Sequence, residues 1–125
     1  MKSIVRATFL IIAVLTLCSC AQGLHKAGDD SNPDYGPSPS DHEAIVKEWI
    51  RANLRDPYSV QDLQISHPVA DRYWGGLLVS GGHVYAYRVC VRMNAKNAFG
   101  AYTGLKEHVF WIKYSQILGV TEKRC

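Results

Sequence analysis

The side chains able to do chemistry in this chain are four cysteines, at 18, 20, 90 and 125, and five histidines, at 25, 42, 67, 83 and 108. A cysteine nucleophile needs a base within hydrogen-bond reach. His83 and His108 would serve Cys90 only if strand register brought one of them beside it; otherwise both read as ordinary polar residues of strands. Zinc needs four nitrogen or sulfur ligands, supplied by closely spaced pairs. The histidines fall in no such spacing, and neither His-Glu-x-x-His nor paired Cys-x-x-Cys occurs. A Gly-x-Ser-x-Gly elbow and a phosphate-binding loop are also missing from the sequence. The expectation is a non-enzyme without metal or cofactor, in which the cysteines carry the covalent chemistry.

The first two cysteines close a targeting segment. Lys2 and Arg6 form a positive start, and Phe9 to Leu15, extended by Thr16 and Leu17, forms an apolar run. That run falls short of the ~20 apolar residues a membrane span needs. It ends in Leu17-Cys18-Ser19-Cys20, which resembles the lipobox of bacterial lipoproteins: apolar at −3, small at −1, cysteine at +1. The resemblance implies a signal peptide over 1–19 and acylation of Cys20 by fatty chains of the palmitate type. Cys18 fits less well, because Leu17 would then stand where a small residue belongs. Two or more acyl chains, at about 0.8 kcal/mol per buried methylene, hold a protein on a bilayer permanently. By resemblance to enterobacterial sorting rules, Ala21 after the cysteine implies the outer membrane, facing the periplasm. The alternative is an ordinary secretory signal, cut beside Cys20, that releases a soluble protein.

The 125 residues allow one domain. Cleavage would remove Lys2 and Arg6, so most of the formal charge of +3 belongs to the leader. No basic cluster of the kind that grips nucleic acid remains. Residues 21–40 are rich in Gly, Pro, Ser, Asp and Asn and hold almost nothing large and apolar. Such a stretch buries too little surface to offset the entropy of ordering it. Residues 20–40 are therefore expected to be a lipidated flexible tether ahead of a domain over 41–125.

Ser40-Asp-His-Glu43 has the form of a capping box. Ile45, Val46, Trp49, Ile50 and Leu54 then recur on one helical face, and Asp56-Pro57 ends the element, which predicts an amphipathic helix over 41–55. Val60–Ile65 reads as a strand. Residues 67–82 read as irregular, with a possible short strand at Leu77-Leu78-Val79. Residues 83–93 alternate, with Tyr85, Tyr87, Val89, Val91 and Met93 on one face. Leu105–Tyr114 is a further strand, and Ile117–Thr121 another after a tight turn. The expected fold is α+β: one N-terminal amphipathic helix packed on a small, mainly antiparallel sheet of three to four strands.

Without residues 1–19 and with Cys20 acylated, Cys90 and Cys125 remain. Beyond the inner membrane the compartment is oxidising, and a bridge between them would contribute roughly 4 kcal/mol in the chain-entropy model. A free buried Cys90 and a Cys125 pairing between molecules are the alternatives.

Residues 94–104, Asn-Ala-Lys-Asn-Ala-Phe-Gly-Ala-Tyr-Thr-Gly, separate two strong strands and exceed the usual hairpin loop. Here the chain resembles a group of small bacterial envelope proteins and lipoproteins. They carry a helix ending in Asp-Pro-x-Ser and a later Val-Cys-x-x-x-Asn-Ala-Lys-Asn-x-Phe-Gly-x-Tyr-Thr-Gly. The matching residues are Asp56-Pro57-Tyr58-Ser59 and Val89-Cys90 through Gly104. The resemblance implies a shared fold and carries no activity with it. Two readings of the loop stand side by side. In one, Asn94, Asn97, Gly100 and Gly104 hold a fixed turn. In the other, Lys96, Asn97, Phe99 and Tyr102 form a contact surface for an envelope protein or glycan.

The functional expectation is a lipid-anchored envelope protein that binds or scaffolds. The alternative is a small inhibitor or immunity-type binder of a hydrolase. Ser80-Gly-Gly-His-Val-Tyr85 resembles the Ser-Gly-x-x-Tyr loop of periplasmic lysozyme inhibitors, with one residue too many and no partner motif. An ordered, uncharged groove beside the 94–104 loop would favour the first, and a protruding loop with one exposed lysine or aromatic the second.

Overall fold

The computed structural model describes residues 31–76 and 82–125. The lipobox, Cys20, Ala21, the first part of the expected tether and Leu77-Leu78-Val79 lie outside the described residues.

A single helix, α1 (His42–Asn53), is followed by a 3-10 turn at Pro57–Ser59 and five strands: β1 (Gln61–Ile65), β2 (Val69–Trp74), β3 (His83–Asn94), β4 (Lys106–Lys113) and β5 (Gln116–Glu122). The fold is α+β, as the periodicities predict, with one strand more than expected. β3 is the spine. Its C-terminal half pairs with β1, from Gln61↔Asn94 to Ile65↔Val91. Its N-terminal half pairs with β2, from Val69↔Arg88 to Trp74↔His83. β1 and β2 thus lie end to end along one side of β3, while β4 and then β5 continue the sheet on the other. All pairings are antiparallel.

β2 occupies a stretch expected to be irregular. Its exposed residues, Val69, Ala70, Arg72 and Trp74, leave only Asp71 and Tyr73 partly covered. An edge strand with a charge on its inward face gives little hydrophobic alternation to read.

The alternation of β3 sorts the two faces as expected. Val89, Val91 and Met93 join Phe110 and Ile112 beneath Val46 and Ile50 of α1, with Trp49 meeting Phe110 edge-on at 5.0 Å. Burying aliphatic and aromatic side chains of this size contributes about 1.5–3 kcal/mol each. The opposite face carries Ala86, Val109 and Trp111, with Tyr73 and Leu118 packed over them.

The helix starts and stops inside its expected bounds. Asp41 is the N-cap and makes no side-chain capping bond. Glu43 pairs with Lys47 at 3.1 Å, so the Ser40–Glu43 capping box does not form. The backbone amide of His42 instead donates to Pro39 O at 3.3 Å. At the other end Leu54 is already extended (ψ 142°), because turning away there seats Leu54 against the core before Pro57 begins the 3-10 turn.

Ahead of α1, part of the stretch expected to be tether contacts the sheet. Tyr35 meets Tyr85 edge-on at 5.1 Å, and Tyr87 donates its hydroxyl to Gly36 O at 3.4 Å. Pro39 is buried. Asp34 accepts from the Tyr114 hydroxyl at 2.8 Å and lies 3.4 Å from Lys113 Nζ. The Tyr114 hydroxyl, and then the Gly36 amide, hold the Asp34 carboxyl below its ordinary pKa. The same bond pushes the Tyr114 phenol up. This strap steadies a demanding turn. The β4–β5 hairpin turns on Tyr114 and Ser115, both at positive φ (50° and 56°), where Asn-Gly is the usual choice. Ser115 Oγ reaches Asp41 Oδ1 at 3.2 Å, so both turn residues are tied to the segment entering the helix.

Candidate functional site

The expected disulfide is present: Cys90 and Cys125 are joined, with Cα atoms 5.9 Å apart. Neither the free Cys90 nor the intermolecular Cys125 describes this structure. Cys90 lies on the sheet face turned away from α1. His108 pairs across from Val91, and His83 shares Val91's parity along β3, so both belong to the opposite face from Cys90. Neither of these two imidazoles therefore stands beside this sulfur. Burial pushes the His108 imidazole below its ordinary pKa, against the opposing pull of Glu122. Among the described residues, no group of three or more His, Cys, Asp or Glu side chains is placed to hold a metal ion.

The 94–104 loop is an ordered object. An isolated antiparallel bridge between Lys96 and Tyr102 closes its base. Inside, Asn97 does the work of a turn. Its amide donates to Ala101 O at 2.8 Å, and its carbonyl accepts from Gly100 N at 3.0 Å. Its side-chain Oδ1 accepts from the amides of Phe99 and Ala101, at 2.9 and 3.1 Å. Asparagine suits this position because its amide oxygen reaches the backbone two residues on. Gly100 and Gly104 sit at φ 81° and 92°, where a Cβ is penalised although the space beside each is open. Asn94 departs from expectation: it stays in the ladder opposite Gln61, and its Oδ1 is buried with no hydrogen-bond partner among the described residues.

Two side-chain bonds fasten this loop to the end of the helix. Tyr102 donates its hydroxyl to Ser59 O at 2.9 Å. Arg55 donates to Ala98 O at 2.9 Å. Ser59 is buried, and its Oγ donates to Asp56 O at 2.7 Å, which winds the 3-10 turn tightly enough to aim its carbonyl at Tyr102. The Asp56–Ser59 and Asn94–Gly104 motifs, far apart in sequence, are therefore two halves of one structure.

The four loop residues singled out from the sequence divide by role. Asn97 is the internal brace, and Tyr102, 40% exposed, is the fastener. Lys96 lies over the Tyr102 ring at 5.5 Å from its centroid. Phe99, 94% exposed, projects from the tip. Tyr58, on the 3-10 turn to which the loop is bonded, is 93% exposed, and Leu105 at the loop's exit is 51% exposed. Beside Tyr58 opens a shallow cleft of about 290 Å³ with Ile50, Pro57, Val60 and Leu63 in its walls. Lys47 and Arg51 stand at its rim, each paired to a glutamate one turn back on α1. Tyr58 and the cleft did not emerge from the sequence, where Asp-Pro-x-Ser reads only as a helix stop. Comparison of the chain with protein-family models, with curated proteins and with solved structures finds no match to any of them.

Proposed function

We propose that this chain is a lipid-anchored, non-enzymatic binding module of the bacterial envelope whose contact element is the braced loop around Phe99. The signal segment and Cys20 lipobox support the address. The observation that carries the binding role is an aromatic side chain 94% exposed on a loop that is nevertheless fixed by Asn97, Tyr102 and Arg55.

An apolar ring held in water forgoes roughly 1.5–3 kcal/mol that burial would return. A stability argument alone offers no reason to hold it there. Docking into a partner recovers that free energy, and a loop already ordered loses little further entropy on binding. Phe99 is thus the anchor, Lys96 supplies the adjacent charge, and the cleft beside Tyr58 receives a complementary apolar group. The partner is an envelope protein or glycan. The isolation of Phe99 at the tip supports a second reading, insertion into the cleft of a hydrolase as an inhibitor or immunity-type binder.

The test is affinity capture from the native envelope with the lipidated protein. Phe99→Ala should weaken capture by about thirtyfold, the scale of an aromatic hot spot. Its melting temperature should stay within a degree or two, as for an exposed substitution. Undiminished capture by Phe99→Ala would remove the loop from the interface. Loss of capture with inhibition of a co-purifying hydrolase would select the second reading.

A further inference from the structure

A second concave site lies along the edge strand β2, apart from the 94–104 loop, where Arg72 and Trp74 project from one side of the strand and Asp71 and Tyr73 from the other. It is a cleft of about 380 Å³ that draws on four strands, with β2 and His83 of β3 as one wall and Trp111, Thr121 and Lys123 as floor and far side. The pairing of β2 on β3 brings Tyr73 over Trp111, ring centroids 5.4 Å apart. Tyr73 crosses toward β5, donates its hydroxyl to Leu118 O at 3.4 Å and passes over Gly119, where a Cβ would collide with the phenol. Trp74 is 56% exposed yet fixed in place. Its indole lies against the backbone of Gly82, where a Cβ would overlap the ring, and meets His83 edge-on at 5.0 Å. An exposed indole seated in this way is a preformed platform rather than a loose surface residue.

The charges around the platform are unequal. The Asp71 carboxylate is already engaged, 3.0 Å from Arg88 Nε and accepting from the amide of Arg72 at 2.7 Å. Arg72 and Lys123 form no ion pair with any described residue, and Lys123 Nζ stands 6.0 Å from the Trp111 centroid. Two cations and the Thr121 hydroxyl therefore border an aromatic wall. Sites of this kind orient a small molecule by a few polar groups set in an apolar surround.

We propose that this cleft binds an acidic saccharide, a sugar ring carrying a carboxylate or phosphate. The apolar C–H face of the ring lies on the Trp74 indole, its anionic group meets Arg72 and Lys123, and a ring hydroxyl pairs with Thr121. A single exposed indole face, without a second ring opposite to sandwich a base, favours a sugar over a nucleotide.

Calorimetric titration of the full lipidated chain in detergent tests this, with trigalacturonate as the probe and neutral galactotriose and AMP as controls. The expected result is binding of the acidic trisaccharide that weakens as salt is raised. Trp74→Ala and, separately, Arg72→Ala should each weaken it at least tenfold with the fold intact by circular dichroism. Phe99→Ala should leave it unchanged, which separates this site from the loop. No heat of binding with millimolar trigalacturonate, equal affinity for the neutral trisaccharide, preference for AMP, or full binding by both cleft variants would each overturn the proposal.

Discussion

Removing one hydroxyl, in Tyr102→Phe, tests whether the 94–104 loop is held by its bond to the 3-10 turn. The Tyr102 hydroxyl donates to Ser59 O at 2.9 Å in a partly buried setting. A neutral hydrogen bond of this kind contributes about 0.5–1.5 kcal/mol net, and the carbonyl left behind can find water at the exposed side. Tyr102→Phe should therefore cost about 1 kcal/mol. In a domain of this size that lowers the melting temperature by roughly 4–8 °C. Tyr102→Ala also removes the ring. A buried aromatic truncation costs about 3–5 kcal/mol, but this ring is 40% exposed, so about 2–3 kcal/mol is expected. Ser59→Ala is the informative comparison: the acceptor is the Ser59 backbone carbonyl, so that variant keeps both partners of the Tyr102 bond and loses the bond from Ser59 Oγ to Asp56 O that aims the carbonyl. Thermal melts followed by circular dichroism, with amide exchange of Phe99 and Ala101 as the local readout, distinguish the cases. A Tyr102→Phe protein that melts within a degree of the parent, with unchanged exchange in the loop, would refute the argument that this bond fastens it.

Cys20→Ala should abolish labelling by a clickable fatty acid, and undiminished labelling of that variant would sink the lipid-anchor proposal. Opening the Cys90–Cys125 bridge, by Cys125→Ser or by reductant, should cost roughly 4 kcal/mol in the chain-entropy model, read as a lower urea midpoint. Two titratable thiols in native oxidised protein would contradict the bridge itself. Burial holds His108 below its ordinary pKa, so the unfolded chain binds that proton more readily. The stability this confers is present above about pH 6.5 and is lost as pH falls from there toward the folded value. The urea midpoint should fall between about pH 7.5 and pH 5, and His108→Gln should flatten that slope; an unchanged slope would assign it to another group. The depressed carboxyls Asp34, Glu43 and Glu122 lose their contributions only at lower pH, below the ordinary carboxylate range.

The elements legible in the sequence are those whose burial repeats with a period. α1 and β3 carry continuous apolar stripes, and β4 sits in the middle of the sheet with Val109, Phe110, Trp111 and Ile112 all buried, so each announces itself. β2 does not, because an edge strand is held by ladder bonds that any side chain permits. The strap was hidden for a related reason: in a stretch nearly devoid of apolar groups, Tyr35 alone supplies the ring that seats on Tyr85. Within the loop, the bracing by Asn97 follows from the turn chemistry of asparagine. The outward aim of Phe99 does not, since hydrophobicity by itself would send that ring inward. The Trp74 cleft needs four strands in register before its residues become neighbours, and no local pattern encodes that register.

The site at which the strap joins the fold sets the direction in which the domain faces. Asp34 and Tyr35 meet the sheet beside Tyr87, Lys113 and Tyr114, at the β4–β5 hairpin end. The Phe99 loop leaves from the other end of β3, beyond Met93. At about 3.3 Å per residue, those two ends lie roughly 20 Å apart. An anchor at Cys20, as proposed above, would pull on the domain through the strap, and so from the hairpin end. The Phe99 loop would then stand at the end of the domain farther from that anchor. A partner bound at Phe99 would approach from the side opposite the strap, so that tension on the strap and docking at the loop act along one line through β3.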